Sequence, residues 1–312
     1  MSIKNCEFSG NYIKGAIYDH GGAFGGAIAV RDAKSFVMTD SIFSDNYVAN
    51  PSDRIRIYTA GILFLEDWKS GDGVTTSIIE RCVFDSRKVP NSVKSSSANV
   101  TLYAQSDILL TGGSLFMTNN LIYGSQGGST YGDYSIRSAA SSSTSPYYHG
   151  YFYSQWTSAS SYMELVNCTI ADGKAYGAVA MGDTTLRMIN SISSGHSVSS
   201  VVNAASIEYS CLQEEHEGEG NFVADPLWTG APYYHLITKA KNGYIQDGWF
   251  GGTFAGEKSK VSSPCIDAGA PDFANHIYEP HAKGRRINLG AYGGTPWASK
   301  TYYQLGSILK LR

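Results

Sequence analysis

One short pattern recurs along the chain and limits what it can fold into. Ile3-Lys4-Asn5-Cys6-Glu7-Phe8-Ser9-Gly10-Asn11 sets an apolar residue, a polar residue, a small Cys or Ser, and a second apolar residue two places on. The same pattern returns at Met38-Thr39-Asp40-Ser41-Ile42-Phe43-Ser44-Asp45-Asn46, Ile79-Glu80-Arg81-Cys82-Val83-Phe84 and Met117-Thr118-Asn119-Asn120-Leu121-Ile122. Further copies are Leu165-Val166-Asn167-Cys168-Thr169-Ile170, Met188-Ile189-Asn190-Ser191-Ile192 and, more loosely, Ile207-Glu208-Tyr209-Ser210-Cys211-Leu212. Units that repeat in this way bury their apolar faces only by stacking on one another.

Counted at Cys6, Ser41, Cys82, Asn120, Cys168, Ser191 and then 210 or 211, the steps are 35, 41, 38, 48, 23 and about 20. The shortest steps set the unit, and the longer ones are units carrying inserted loops. About 20 residues rich in Val, Ile, Thr and Tyr and broken by Gly, Asn and Ser form short strands and turns, not a helix pair. One coil of a parallel β-helix fits that length; a leucine-rich repeat has a similar period, but its spaced leucines are missing. Cys6 and Phe8, Ser41 and Phe43, Cys82 and Phe84, and Cys168 and Ile170 are each two apart and share a strand face. The apolar residue three before the Cys position (Ile3, Met38, Ile79, Leu165) breaks that parity, which predicts a bend between the two apolar positions.

With 24 Lys and Arg against 27 Asp and Glu, the chain carries a formal charge of −3, so nucleic acid is not an expected partner. Charged residues are only 16% while Gly (34) and Tyr (22) are abundant, a polar, weakly charged surface that suits a secreted protein meeting sugars. There is no apolar run long enough to span a membrane and no leader-like segment. Met1 opens almost directly on a complete motif, so the sequence reads as trimmed from a longer, exported chain. Of five cysteines, Cys6, Cys82 and Cys168 occupy the same motif position, where free buried thiols are expected to stack coil on coil; oxidative pairing is the alternative. No CxxC or Cys/His metal spacing occurs.

Gly25-Gly26-Ala27-Ile28 together with Phe8-Ser9-Gly10-Asn11 and Phe43-Ser44-Asp45-Asn46 resembles the repeats of polymorphic outer-membrane proteins, surface β-helices that serve as adhesins. Towards the C-terminus stand Gly220-Asn221-Phe222-Val223-Ala224-Asp225-Pro226-Leu227-Trp228, Tyr234-His235-Leu236, Ser263-Pro264-Cys265-Ile266-Asp267-Ala268-Gly269-Ala270-Pro271-Asp272 and Glu279-Pro280. With Gly284-Arg285-Arg286-Ile287-Asn288-Leu289-Gly290-Ala291-Tyr292-Gly293-Gly294, these five blocks resemble the end of secreted bacterial right-handed β-helix proteins of the choice-of-anchor type. The resemblance implies that this region closes the solenoid. Pro226, Pro264 and Pro271 interrupt strand pairing. Asp267, Asp272, Arg285 and Arg286 are expected to be structural, the arginines bonding the aspartates or carbonyls at the open end of the last coil.

The architecture expected is therefore all-β: a single-stranded right-handed parallel β-helix, a pectate-lyase-like solenoid, with coils over 1–212 and a closing region over 213–312 of the same domain. Insertions are expected from Asn50 to Tyr58, from Glu66 to Gly73 and, largest, over 124–162. That last loop carries Tyr147, Tyr148, His149, Tyr151, Tyr153 and Trp156, which read either as a flap folded over the coils or as an aromatic platform for sugar rings.

Catalytic candidates come from two patterns. The residue before the Cys position forms a row, Asn5, Asp40, Arg81, Asn119, Asn167 and Asn190, whose members would line up about 4.8 Å apart. If the row faces outward, Asp40 and Arg81 are neighbours, either a lyase-like base and cation or a salt bridge within an asparagine ladder. A hydrolase would need two carboxyls about 5–9.5 Å apart; Asp32, Glu66, Asp67, Asp72 and Asp107 are the supply, with Asp67 and Lys69 as a further couple. Glu215, Glu217 and Glu219 offer oxygen ligands dense enough for calcium but without a calcium-loop spacing, so a solvated turn is the other reading. The seven histidines are scattered and are expected in packing or surface roles, and no Ser-His-Asp, phosphate-loop or zinc signature occurs. The expected role is an exported, extracellular or cell-surface protein that recognises a polysaccharide, with lyase or glycoside hydrolase activity; the alternative is a non-catalytic adhesin or structural module. This functional step rests on fold analogy.

Overall fold

In a computed structural model of the chain, the described residues are 1–14, 26–31, 33–49, 57–66, 76–87, 102–125, 133–138, 160–173, 176–180, 184–245, 250, 252–255, 259–280 and 286–302. They are nearly all strand or turn. The first coil contributes β1 (Ser2–Lys4), β2 (Glu7–Ser9), β3 (Tyr12–Lys14) and β4 (Ile28–Arg31). The second repeats this with β5 (Ser35–Thr39), β6 (Ile42–Ser44), β7 (Tyr47–Ala49) and β8 (Ile57–Glu66). Four coils of three strands follow: β9 (Thr76–Glu80), β10 (Val83–Asp85) and β11 (Leu102–Thr111); β12 (Gly113–Thr118), β13 (Leu121–Tyr123) and β14 (Asp133–Ser138); β15 (Ser161–Val166), β16 (Thr169–Ala171) and β17 (Tyr176–Val179); β18 (Thr184–Ile189), β19 (Ile192–Ser194) and β20 (Ser199–Val202). A seventh coil holds β21 (Ser206–Glu208) and β22 (Cys211–Leu212), and β23 (Phe222–Val223), β24 (Tyr244–Ile245) and β25 (Phe254–Ala255) come last.

Each of the first six coils places one strand in each of three sheets, and the seventh one in each of the first two. The first sheet runs β1-β5-β9-β12-β15-β18-β21, the second β2-β6-β10-β13-β16-β19-β22-β23 and the third β4-β8-β11-β14-β17-β20. Every pairing in these three sheets is parallel; β3 pairs β7 in parallel, and β24 with β25 is antiparallel. The arrangement fits a β-helix-like solenoid, with coils stacked in chain order.

The core is three columns of inward side chains. Met38, Ile79, Met117, Leu165, Met188 and Ile207 stack from the first sheet; Phe43, Phe84, Ile122, Ile170 and Leu212 from the second; Ile28, Leu63, Ile108, Ala178 and Val201 from the third. Phe8, Phe43 and Phe84 lie ring on ring, with centroids 4.7 and 5.0 Å apart and planes within 4°.

The bend expected from the broken parity lies at one residue per coil. Asn5, Asp40, Arg81, Asn119, Asn167, Asn190 and Tyr209, between the first-sheet and second-sheet strands, all have φ between 45° and 56°. In this left-handed region Asn and Asp are favoured over other non-glycine residues. The row of asparagines is thus set by backbone conformation.

One place on, the Cys/Ser/Asn position turns into the inner corner and forms a polar ladder between coils. Cys6 N–H donates to Ser41 Oγ (3.2 Å), Cys82 N–H to Asn120 Oδ1 (2.9 Å), Cys168 N–H to Ser191 Oγ (3.0 Å) and Ser191 N–H to Ser210 Oγ (3.2 Å). Asn221 is a further rung, taking Ser210 N–H on Oδ1 at 3.1 Å and donating to Ile207 O at 2.7 Å. The second sheet therefore runs on to Val223, past residue 212, where the repeats had been expected to end. The thiols are free, as expected, but they also act as donors: Cys82 Sγ reaches Glu80 O (3.4 Å) and Cys168 Sγ reaches Val166 O (3.5 Å). Burial pushes both thiols up to about 12, which keeps the S–H that makes these bonds.

The segment 224–302 lies along the outer face of the second sheet. Val83, Leu121, Tyr123 and Ala171 pack against Tyr234, Ala291 and Tyr292, while Ile192 and Cys211 pack against Leu236, Cys265 and Leu289. Ala291 N–H donates to Thr169 Oγ1 (2.9 Å) and Tyr234 O–H to Asp172 Oδ2 (2.6 Å). Arg286 bonds carbonyls, as expected of it, but those of Ala268 (2.7 Å) and Gly269 (2.5 Å) within the segment itself, and Asp267 Oδ1 accepts from Thr301 Oγ1 (3.0 Å). Arg285 lies outside the described residues.

Candidate binding face

Asp40 and Arg81 do meet. Arg81 Nε donates to Asp40 Oδ1 at 2.6 Å and its Nη2 to Oδ2 at 3.0 Å, while Nη1 lies 3.3 Å from Glu80 Oε2. The hydrogen bond from Arg81 holds the Asp40 carboxyl below its usual range despite burial, and the same bond raises Arg81. A guanidinium held through Nε and Nη2 by one carboxylate and at Nη1 by another is no base and has little charge left for a substrate. Further along the row, Asn119 Nδ2 donates to Ala291 O (2.9 Å) and Gly293 O (2.8 Å), and Asn190 Oδ1 accepts from Ala270 N–H at 2.6 Å. From the fourth coil onward this row is therefore occupied by the C-terminal segment and does not line an open groove.

The other predicted residues fall in several places. Asp67, Lys69, Asp32, Asp72, Tyr147, Tyr148, His149, Tyr151, Tyr153 and Trp156 lie outside the described residues, as does the side chain of Glu66. Asp107 is buried and accepts from Ser86 Oγ at 2.8 Å. Glu215 and Glu217 are exposed beside the last coil, and Glu219 accepts from the Tyr209 hydroxyl. Glu215 and Glu217, but not Glu219, line a cavity of about 610 Å³ together with Glu214, His216 and Asn221. Burial disfavours the Glu214 carboxylate, but hydrogen bonds from Ser199 Oγ (2.7 Å), Ser200 N–H (2.6 Å) and His216 outweigh it and lower its pKa. Among the described residues no three His, Cys, Asp or Glu side chains gather where a metal ion could be held. Ser193 Oγ lies 3.0 Å from His196 Nε2, but both are buried in the interior, and burial lowers the imidazole to about 4.

The outward face of the first sheet combines apolar, aromatic and charged side chains. Strand alternation turns Met163 and Leu165 inward and leaves Tyr162 and Glu164 partly exposed, with the same parity in each neighbouring strand. In register, Val37, Ile78, Phe116, Glu164, Arg187 and Ser206 form one outward column across six strands. Ser114, Tyr162 and Thr185 run beside it. The Phe116 and Tyr162 rings are 5.5 Å apart and tilted by 46°, and Tyr162 O–H donates to Glu164 Oε2 at 2.7 Å. Burial and this bond raise the Tyr162 phenol, so it remains a donor. The column thus passes from apolar (Val37, Ile78) through an aromatic pair to a carboxylate and a guanidinium on adjacent strands, about 4.8 Å apart.

Sequence reasoning did not single out this column, although a signal for it was there. Val37, Ile78, Phe116, Glu164 and Arg187 each stand four residues before a ladder position, one step out of phase with the inward apolar residue. Compared with family models, curated proteins and solved structures, the chain matches none.

Proposed function

We propose that this chain is an exported right-handed, single-stranded parallel β-helix that binds a polysaccharide along the outward face of its first sheet. The observation that carries this reading is the Phe116–Tyr162 ring pair set beside Glu164 and Arg187. Sugar rings offer an apolar C–H face and a hydroxyl edge, and an aromatic pair next to a carboxylate and a guanidinium presents complements to both. A column running across six strands suits an extended chain, not a small enclosed ligand.

Binding is favoured over hydrolysis at this strip, because among the described residues the carboxyls flanking Glu164 along the sheet are distant and the closer Asp40 and Glu80 pair is tied up on Arg81. Glu80 and Glu208 each lie two strands from Glu164 and one column over, roughly 11 Å away by strand geometry, beyond the span of a hydrolase pair. The weak overall charge suits a neutral or mildly acidic glycan on a cell surface or in its matrix.

The test is titration with a panel of neutral and acidic polysaccharides, by calorimetry, on the folded protein and its Phe116→Ala and Tyr162→Ala variants. At least one polysaccharide should bind, with each variant weakening it about tenfold or more while the melting temperature stays close to wild type. No binding across the panel, or binding that both variants leave untouched, overturns the reading. New reducing or unsaturated ends in the same samples would replace binding by cleavage.

A further inference from the structure

We infer that Cys211 and Cys265 are a redox pair, forming an intrachain disulfide that fastens the C-terminal segment to the last coil. Cys211 is in β22 at the end of the second sheet, and Cys265 comes from the Ser263–Ala270 turn of the segment laid over it. Both are fully buried in one apolar cluster with Ile192, Leu236 and Leu289, and each thiol is the neighbour that most perturbs the other. The Cys82 and Cys168 thiols, by contrast, each donate only to backbone carbonyls among the described residues. A disulfide needs two sulfurs that can meet without the backbone moving far, and one shared buried cluster brings β22 and the Cys265 turn together at these two side chains.

The surroundings hold both partners in place. Cys265 N–H donates to Ser263 Oγ (3.1 Å), and Ser263 Oγ donates to Pro226 O (2.5 Å). Leu289 N–H donates to Cys265 O (2.9 Å), and Cys211 Sγ reaches Ala224 O at 3.5 Å. Cys265 lowers the Cys211 thiol while Cys211 raises that of Cys265, an asymmetry that suits one sulfur attacking as thiolate and the other joining in the second step.

With a low-molecular-weight disulfide such as oxidised glutathione as oxidant, the Cys211 thiolate attacks one of its sulfurs and displaces one glutathione thiolate. The Cys265 sulfur then attacks Cys211 Sγ and releases the second. One S–S bond forms and one breaks, two electrons pass to the oxidant, and the two thiol protons end on its two thiols. This inference does not depend on the polysaccharide reading.

The experiment refolds the full chain from denaturant in a glutathione redox buffer, so that burial does not block the thiols, then alkylates, digests with trypsin and maps the peptides. Expected is a cross-link between the fragments spanning 188–239 and 261–283, with free thiols falling from five to three. The oxidised protein should melt about 5–10 °C above the reduced protein, since the bridge closes a long loop. Cys211→Ser and Cys265→Ser should each abolish the cross-link, while Cys168→Ser, checked for folding by circular dichroism, should leave it intact. Five free thiols in the refolded wild type, or Cys265 joined to any other cysteine, overturns the inference.

Discussion

Replacing Asn120 tests whether the inner corner ladder holds the coils together. Asn120 is fully buried; its Oδ1 takes the Cys82 N–H at 2.9 Å, and its Nδ2 donates to Ile79 O at 2.8 Å and Thr118 O at 3.2 Å. Leucine has the same branched heavy-atom skeleton, with bulkier methyls in place of the amide atoms, and none of these bonds. It leaves the Cys82 N–H buried and unpaired, at about 1–3 kcal/mol, and shortens the supply of donors to two carbonyls, for a total of about 2–4 kcal/mol. Serine is the residue the chain itself uses at 41, 191 and 210, where the hydroxyl accepts from the preceding coil and, in Ser41, donates to Thr39 O. Asn120→Ser should therefore cost less than about 1.5 kcal/mol, and Asn120→Asp, a buried carboxylate facing two carbonyl oxygens, should cost most. Urea titration gives the total, and amide exchange at Cys82 gives the local opening that leucine should accelerate and serine should largely spare. Equal stability for the leucine and serine variants would refute the ladder as a source of stability.

Glu279 supplies a pH prediction. Burial holds its carboxyl up at about 8, against hydrogen bonds from Gly294 and Asn288 N–H, so the folded state keeps a proton that the unfolded chain releases near pH 4.3. Its contribution is full below that unfolded value and is lost as pH rises to about 8, a fall of a few kcal/mol that Glu279→Gln should flatten in denaturant titrations at pH 5 and 8.5. A wild type equally stable at both would refute it. Arg81→Asn loses the ion pair with Asp40 but places the residue type of Asn119 and Asn167 at a left-handed corner, so its stability should stay within about 1 kcal/mol of wild type, whereas β-branched Arg81→Val should cost more. In acid, Asp40, whose pKa the Arg81 bond lowers, contributes above its unfolded value of about 3.9 and loses that contribution as pH falls below it; a variant series flat between pH 5 and 3 would contradict this.

The repeat was legible because its constraints are local and recur. Apolar parity gave the inward columns, and the misfit between Ile3 and Cys6 or Met38 and Ser41 located the bend, because a left-handed residue shifts the phase of everything after it. The asparagines at that bend suggested a functional row, since the same residue type serves backbone conformation and recognition; only the φ values separate the two. Asn221 escaped because the step to it is just 11 residues, too short to read as a coil. The position of the C-terminal segment was not legible, because the contacts of Asn119 with Ala291 and Gly293 join residues more than 170 apart, with no periodicity to announce them. The Phe116, Tyr162, Glu164 and Arg187 face was hidden by its own variety: an outward column repeats in position and not in residue type.

The C-terminal segment laid along the second sheet also changes how the stack transmits load. Coils that touch only their neighbours come apart like a zip, each opening easing the next. Here one strip of chain grips Val83, Leu121, Ala171, Ile192 and Cys211 in turn, as a batten nailed across planks. Pulled along its axis, the molecule should shed its first coils singly and then resist as one block from the third coil to the seventh, until the batten itself lifts.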